Sequence, residues 1–422
     1  MVLDRTQAPP FRPVTDYTLP KPEKRHLKNG QPLFIWRTNT QPVVALQASF
    51  EAGKRREKTA GVASFTAKML SQGTSKRDYQ AISDFIAQHG AYLDIQANSH
   101  FIEIELFCLP RFLESMLELL RELVFDSTFP EERLKQILQL QAQQLQVNRQ
   151  KNNFVASEEF RRNLYGDDHP SGKIWDIEQI VQLKANTLKT FFTDFIDHRP
   201  AEWFLTGVFD EEIPALIDQY FGQHELKPYP ETIIPDATPR YEQIYLEKEK
   251  SMQTTLRLGR FLVENGHEDY PAIQVMNEIF GGYFGSRLMQ NLREEKGLTY
   301  GVFSRVQTLR NQSSLWFIGA DVKKAQRELA RNELFVELQK LQSETVPTEE
   351  LERVLNYMAG SFVSDFATPF AVTEKYRHLR RLSLPEDYYD HIIPKWRAVT
   401  AEQVQTVAKK YGNLPFLEVM VG

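Results

Sequence analysis

An arginine and a tyrosine, Arg293 and Tyr300 in the stretch LREEKGLTYGV (292–302), set a long cation and a phenol near one another in the sequence. A guanidinium presents paired N–H donors that match a peptide carbonyl or a carboxylate. A phenol can donate to a developing oxyanion. Each also has an ordinary local use: an arginine in a last helical turn meets orphan carbonyls and the negative end of the helix dipole, and a tyrosine suits a half-buried strand. The elements that position them are legible. Glu294, Glu295 and Lys296 read as a solvated helix end, Gly297 as its left-handed cap, and Leu298 to Phe303 as the start of a strand. Arg293 then falls in the last helical turn and Tyr300 early in the strand, with a turn between them that can bring both side chains to one place.

Other groupings of reactive residues are weaker. Cys108 is the only cysteine and lies in the strand-like run FIEIELFCLP, where it reads as a small buried hydrophobe. The nine histidines include no pair four residues apart, so no helical metal pair is present. His100 and His169 read as structural, the latter as a turn residue in DDHPSG. The glycines of FGGYFGSR do not make a phosphate loop, because the Lys-Ser/Thr of that motif is missing. The glutamine-rich run from 136 to 150 reads as a solvated or subunit-facing helix face.

The chain has 422 residues, with 41% hydrophobic and 25% charged residues and a net charge of −5, which suits a soluble globular protein of more than one domain. That charge implies no polyanion partner, so nucleic acid is not expected. No apolar run is long enough to span a bilayer, and the start MVLDRTQAPPFRPVTDYTLP has no apolar signal core. The expected compartment is cytoplasmic, or periplasmic if a leader has been removed.

Two segments repeat at one offset. FPEERLKQIL (129–138) matches VPTEELERVL (346–355), each with a proline at the helix start and acids in the first turn. The helix-turn-strand segment ending at Gly207 and Val208 matches the one ending at Gly422. Pro130 to Pro347 spans 347 − 130 = 217 residues and Gly207 to Gly422 spans 422 − 207 = 215, so the chain reads as a duplication. The expected domains are an N-terminal half at 1–227, a proline-rich linker at 228–245, and a homologous C-terminal half at 246–422. Strands and helices alternate without regular βαβ order, which predicts an α+β fold of two α/β-sandwich halves, each a mixed or antiparallel sheet packed with helices.

This order, with GVASFTAKMLSQGTSKRD, RNLYGDDHPSG, GGYFGSRLMQNLREEKGLTYGV and VPTEELERV, resembles the insulinase/pitrilysin-type peptidases, the inverzincins. Catalytic members carry H-x-x-E-H on the first helix, two histidines holding zinc and the glutamate acting as base, with a second glutamate downstream as third ligand. At the matching positions this chain has Ser64, Ala67 and Lys68, and the family spacing puts the distal ligand at or near Gln144. The resemblance therefore implies a degenerate zinc motif and no metal in this chain. It further implies that Arg293 and Tyr300 are the family's substrate-binding pair. In two-chain members one subunit has the zinc motif and the other has the Arg/Tyr pair. The reading is a non-catalytic, substrate-binding subunit, inactive alone, whose partner is a homologous zinc-bearing subunit and whose substrate is a peptide. The alternatives are an inert structural scaffold and a homodimeric peptide-binding pseudoenzyme. The strand YLDIQANS (92–99) matches the family strand that pairs with substrate main chain.

Overall fold

The computed structural model describes Thr6 and residues 12–422, apart from the Gln312 side chain. Among the described residues eleven strands form two sheets: β1 Glu23–His26, β2 Pro32–Arg37, β3 Val44–Phe50, β4 Tyr92–Ala97, β5 Ile102–Cys108, β6 Ala201–Gly207, β7 Gln243–Leu246, β8 Gln253–Phe261, β9 Thr299–Leu309, β10 Gln312–Lys323 and β11 Leu417–Val421. The first sheet has the order β1-β2-β6-β3-β5-β4 and the second β7-β11-β8-β10-β9. Both are packed with helices, so the fold is the mixed α/β arrangement expected from the sequence.

The second sheet repeats the strand order of the last five strands of the first. In each, a short strand pairs in parallel with the strand that follows a late helix: β2 with β6, Leu33 opposite Trp203, and β7 with β11, Val419 opposite Ile244. The helix starts repeat too, with Pro130 and Pro347 both in extended backbone ahead of helices Glu131–Arg149 and Thr348–Ser364.

The chain divides into two compact units: residues 21–258, 368–374 and 417–422 in one, and residues 1–20, 259–367 and 375–416 in the other. In the first, β3 is buried along its whole length because β5 and β6 pair on its two edges and helices cover its face. Leu46 sits between Leu106 and Leu205 in those registers, and side chains of this kind contribute roughly 1.5–3 kcal/mol each on burial. In β5 the alternation holds from Ile104 on, with Ile104, Leu106 and Cys108 buried and Glu105 and Phe107 half-buried, while Glu103 near its start is buried. β4, by contrast, pairs only with β5 and forms the sheet edge. The proline-rich stretch 225–240 has neither helix nor strand and is tied down along this unit: Tyr229 donates through its hydroxyl to the Pro200 carbonyl (2.6 Å), and Thr238 N–H donates to the Tyr165 carbonyl (3.0 Å).

The second unit holds β9 and β10, an antiparallel hairpin with Phe317 opposite Arg305. Helix Tyr270–Asn277 runs on into a wider π turn, Glu278–Gly282, and a second π segment spans Met289–Glu295. No described helix is long and apolar enough to cross a membrane.

Candidate functional site

Helix Val62–Met69 carries the degenerate motif. Its start is held by Glu57, whose two carboxylate oxygens accept the Gly61 N–H (3.0 Å) and the Ala63 N–H (2.8 Å). Val62, Ala63, Phe65, Thr66, Ala67 and Met69 are buried, which leaves Ser64 half-buried and Lys68 exposed as the residues this helix offers to a site. The Lys68 ammonium donates to the Gln141 amide oxygen at 2.7 Å. It lies 5.8 Å from the Phe65 ring centroid, and partial desolvation holds its pKa below the ordinary lysine range.

Gln144 is one turn further along helix Glu131–Arg149, exposed, and its amide donates to Asn148 Oδ1 (3.1 Å). The structure thus brings Lys68 to Gln141 and not to Gln144. Residues three apart on a helix share a face, so a linear count alone does not choose between the two; the packed face of Leu134, Leu138, Ala142 and Leu145 does. These donors do not suit zinc. A hydroxyl and an amide carry no charge to offset dehydration of a dication, Ala67 offers no donor or base, and an ammonium repels the ion. Among the described residues no group of three or more His, Cys, Asp or Glu is placed to hold a metal.

The remaining sequence candidates are structural. Burial pushes the Cys108 thiol up to about 12, so it stays protonated. His169 is buried, stacks on Tyr165 and accepts the Ser171 N–H at Nδ1 (3.0 Å); burial lowers its pKa to about 4, so it is a neutral turn residue.

Arg293 and Tyr300 lie as the local pattern predicts. Gly297 has φ +58°, and Leu298 N–H reaches back to the Leu292 carbonyl (2.8 Å), closing the helix end. The difference lies in the helix itself: Lys296 N–H bonds the Asn291 carbonyl five residues back (3.1 Å), a wide turn of the kind that recurs at functional sites. The guanidinium of Arg293 sits 4.7 Å from the exposed Phe284 ring centroid and reaches Glu294 Oε1 at 3.4 Å. Tyr300 is 93% exposed and hydrogen-bonds no described residue. Neither a hydrogen bond nor a cation–π contact links the two side chains. Tyr300 stands on β9, the edge of its sheet, as β4 is the edge of the other; Gly90 (φ +55°) precedes β4 as Gly297 precedes β9.

Comparison with known proteins decides the family. The family model described as "Insulinase (Peptidase family M16)" matches residues 34–171, and "Peptidase M16 inactive domain" matches residues 182–358. The chain belongs to the insulinase family of peptidases, M16. Among M16 relatives it is similar to "Uncharacterized zinc protease YmxG" of Bacillus subtilis, 21% identical over 91% of this chain and 94% of that one. It is also similar to "Probable inactive metalloprotease YmfF" of the same organism, 27% identical over 47% of this chain and 48% of that one. "Non-peptidase homolog YmxG" of Helicobacter pylori is 21% identical over 58% of this chain and 57% of its own length. The crystal structure of a peptidase M16 inactive domain from Pseudomonas fluorescens shares the fold, with a TM-score of 0.84, 24% identity, and cover of 95% of this chain and 98% of that one.

Three residues whose part in the site the sequence reading does not single out emerge in three dimensions. Gln141 is the partner of Lys68, Phe284 is the platform under Arg293, and Glu57 anchors the motif helix. An acid four residues before a helix-initial glycine was the one available signal for Glu57. Gln141 sits among seven glutamines, and nothing local singles it out.

Proposed function

We propose that this chain is the non-catalytic, substrate-binding subunit of a two-chain zinc peptidase, inactive alone, with the zinc and its general base on a homologous partner subunit. One observation carries the reading. The motif helix has lost every ligand and base, its place taken by a Lys68–Gln141 hydrogen bond, whereas Arg293 is kept, half-buried over Phe284, and Tyr300 is kept at 93% exposure. An exposed tyrosine that packs on nothing contributes little to stability, so its use lies with a ligand. The names of two M16 relatives, an inactive metalloprotease and a non-peptidase homolog, support loss of the chemistry from such chains.

In this reading Arg293 holds a peptide carbonyl or carboxylate with paired donors, its orientation set by the Phe284 ring. Tyr300 donates to the oxyanion formed when the scissile carbonyl is attacked. The open edge of β4 offers main-chain pairing to an extended peptide.

The test is peptide cleavage by the reconstituted pair. This chain alone should be inactive and the pair active. Arg293→Ala or Tyr300→Phe should lower turnover roughly a hundred- to a thousand-fold, the usual cost of one oxyanion donor, with the partner's zinc content and the pair's size-exclusion profile unchanged. Wild-type turnover from an assembled double variant would overturn the proposal and leave the scaffold reading.

A further inference from the structure

A cavity of about 350 Å³ in the second unit is lined by Glu278, Gly282, Tyr357, Ser361, Phe362 and Trp396, among others. Three of its other polar residues are engaged within the protein. Gln274 Oε1 accepts from Trp396 Nε1 (2.9 Å), Asn277 Oδ1 accepts from Ser304 Oγ (2.6 Å), and Asp365 pairs with the Lys375 ammonium (2.7 Å). Of the two carboxyls on the cavity, Glu278 is the one without such a partner among the described residues. Its half-buried carboxyl has neither a hydrogen bond nor an ion pair with any described residue, and burial alone pushes its pKa up to about 7.

The backbone makes room for this group. Glu278 opens the π turn, and Gly282 lies against it: a Cβ at 282 would sit 2.3 Å from Glu278 Oε2. Aromatic rings stand on the same cavity, with Tyr357 braced by Tyr283 (ring centroids 4.8 Å apart) and Phe362 edge-on to Trp396 (5.7 Å). An uncompensated carboxylate beside ring faces is the chemistry that holds an organic cation, through a charge-assisted hydrogen bond and cation–π attraction.

The repeat gives the cavity a place in the architecture. Adding the 217-residue offset to Gln141 and Gln144 gives 141 + 217 = 358 and 144 + 217 = 361. Met358 and Ser361 both line the cavity. The cavity therefore takes in the C-terminal repeat's counterparts of Gln141 and Gln144. We propose that the Glu278 cavity is a binding site for a basic side chain, the guanidinium or alkylammonium of an arginine or lysine residue in a peptide. This assignment stands independently of the two-chain reading, since it needs neither a partner nor turnover.

The test is calorimetric titration of the full chain with N-acetyl-arginine amide, N-acetyl-lysine amide and the neutral isostere N-acetyl-citrulline amide, with free guanidinium chloride as a fourth arm. The basic amides should bind saturably and citrulline at least tenfold more weakly. Glu278→Gln should abolish the preference for charge, lowering affinity for the arginine derivative tenfold or more. Tyr357→Ala, at a position 45% exposed where truncation spares the core, should weaken it as well. Binding of free guanidinium as tightly as the amino-acid derivatives would show a bare cation site and overturn the side-chain assignment. Equal binding of citrulline, no saturable binding, or unchanged affinity in both variants would overturn the site altogether.

Discussion

Glu57 is the hinge between the sequence of the motif helix and its stability. Its carboxyl is 7% exposed, and burial pushes its pKa from 4.5 up to about 7, outweighing the opposing pull of two backbone N–H bonds and of Lys54 and Lys173. The sign follows from linkage. Below about pH 4.5 the group is protonated in both folded and unfolded chains. As pH rises towards 7, the unfolded chain releases the proton and the folded one retains it, so stability falls; above about 7 the loss is complete. At about 1.4 kcal/mol per pH unit, a rise from 4.5 to about 7 costs the folded state about 3 kcal/mol. Glu57→Gln removes this pH-dependent cost. It also leaves one of the Gly61 and Ala63 N–H groups facing an amide NH2 instead of an acceptor, a pH-independent loss of roughly 1–3 kcal/mol. The assay is urea unfolding of variant and wild type at pH 4.5 and pH 8, followed by tryptophan fluorescence and circular dichroism. The variant should be the less stable at pH 4.5, and the difference should move in its favour by about 3 kcal/mol at pH 8. A difference that does not change with pH, or that moves against the variant, would refute the reasoning.

The other expectations are brief. The four-residue graft Ser64→His, Ala67→Glu, Lys68→His, Gln141→Glu should retain zinc after dialysis better than the same graft with Gln144→Glu, because Lys68 hydrogen-bonds Gln141 while Gln144 bonds Asn148; elemental analysis showing the reverse order would contradict the placement. Glu122 is 1% exposed and pairs with the partly exposed Arg77 and with Thr74, so Glu122→Gln should cost about 1–3 kcal/mol in denaturant unfolding by removing the charge that this guanidinium and hydroxyl meet. Gly297→Ala meets no neighbouring atom, so its cost should be only the left-handed backbone penalty, about 1–2 kcal/mol by thermal melting. Tyr300→Phe should leave the unfolding midpoint unchanged, since the hydroxyl bonds no described residue.

Much of the local structure was legible because it rests on short-range chemistry. The Gly297 cap, the alternating strand Ile102–Cys108 and the proline-started helices Glu131–Arg149 and Thr348–Ser364 each follow from residues within a few positions of one another. The loss of zinc ligands at Ser64, Ala67 and Lys68 is equally a property of the sequence, because no packing turns an ammonium into a donor for a dication.

Tertiary structure decided the rest. The choice of Gln141 over Gln144 depends on which turn of one helix faces another, and a spacing of three residues leaves both on that face. The π turns at Glu278–Gly282 and Met289–Glu295 leave no local signature, because a shift of one residue in the hydrogen-bond ladder is set by what the helix packs against. The duplication was readable as an offset, but the matching strand orders, with β4 and β9 at corresponding sheet edges, required the pairing itself. The unpaired carboxyl of Glu278 is the furthest from the sequence: a glutamate is acidic everywhere, and only its place beside aromatic rings, without a paired basic side chain among the described residues, makes that acid a candidate site.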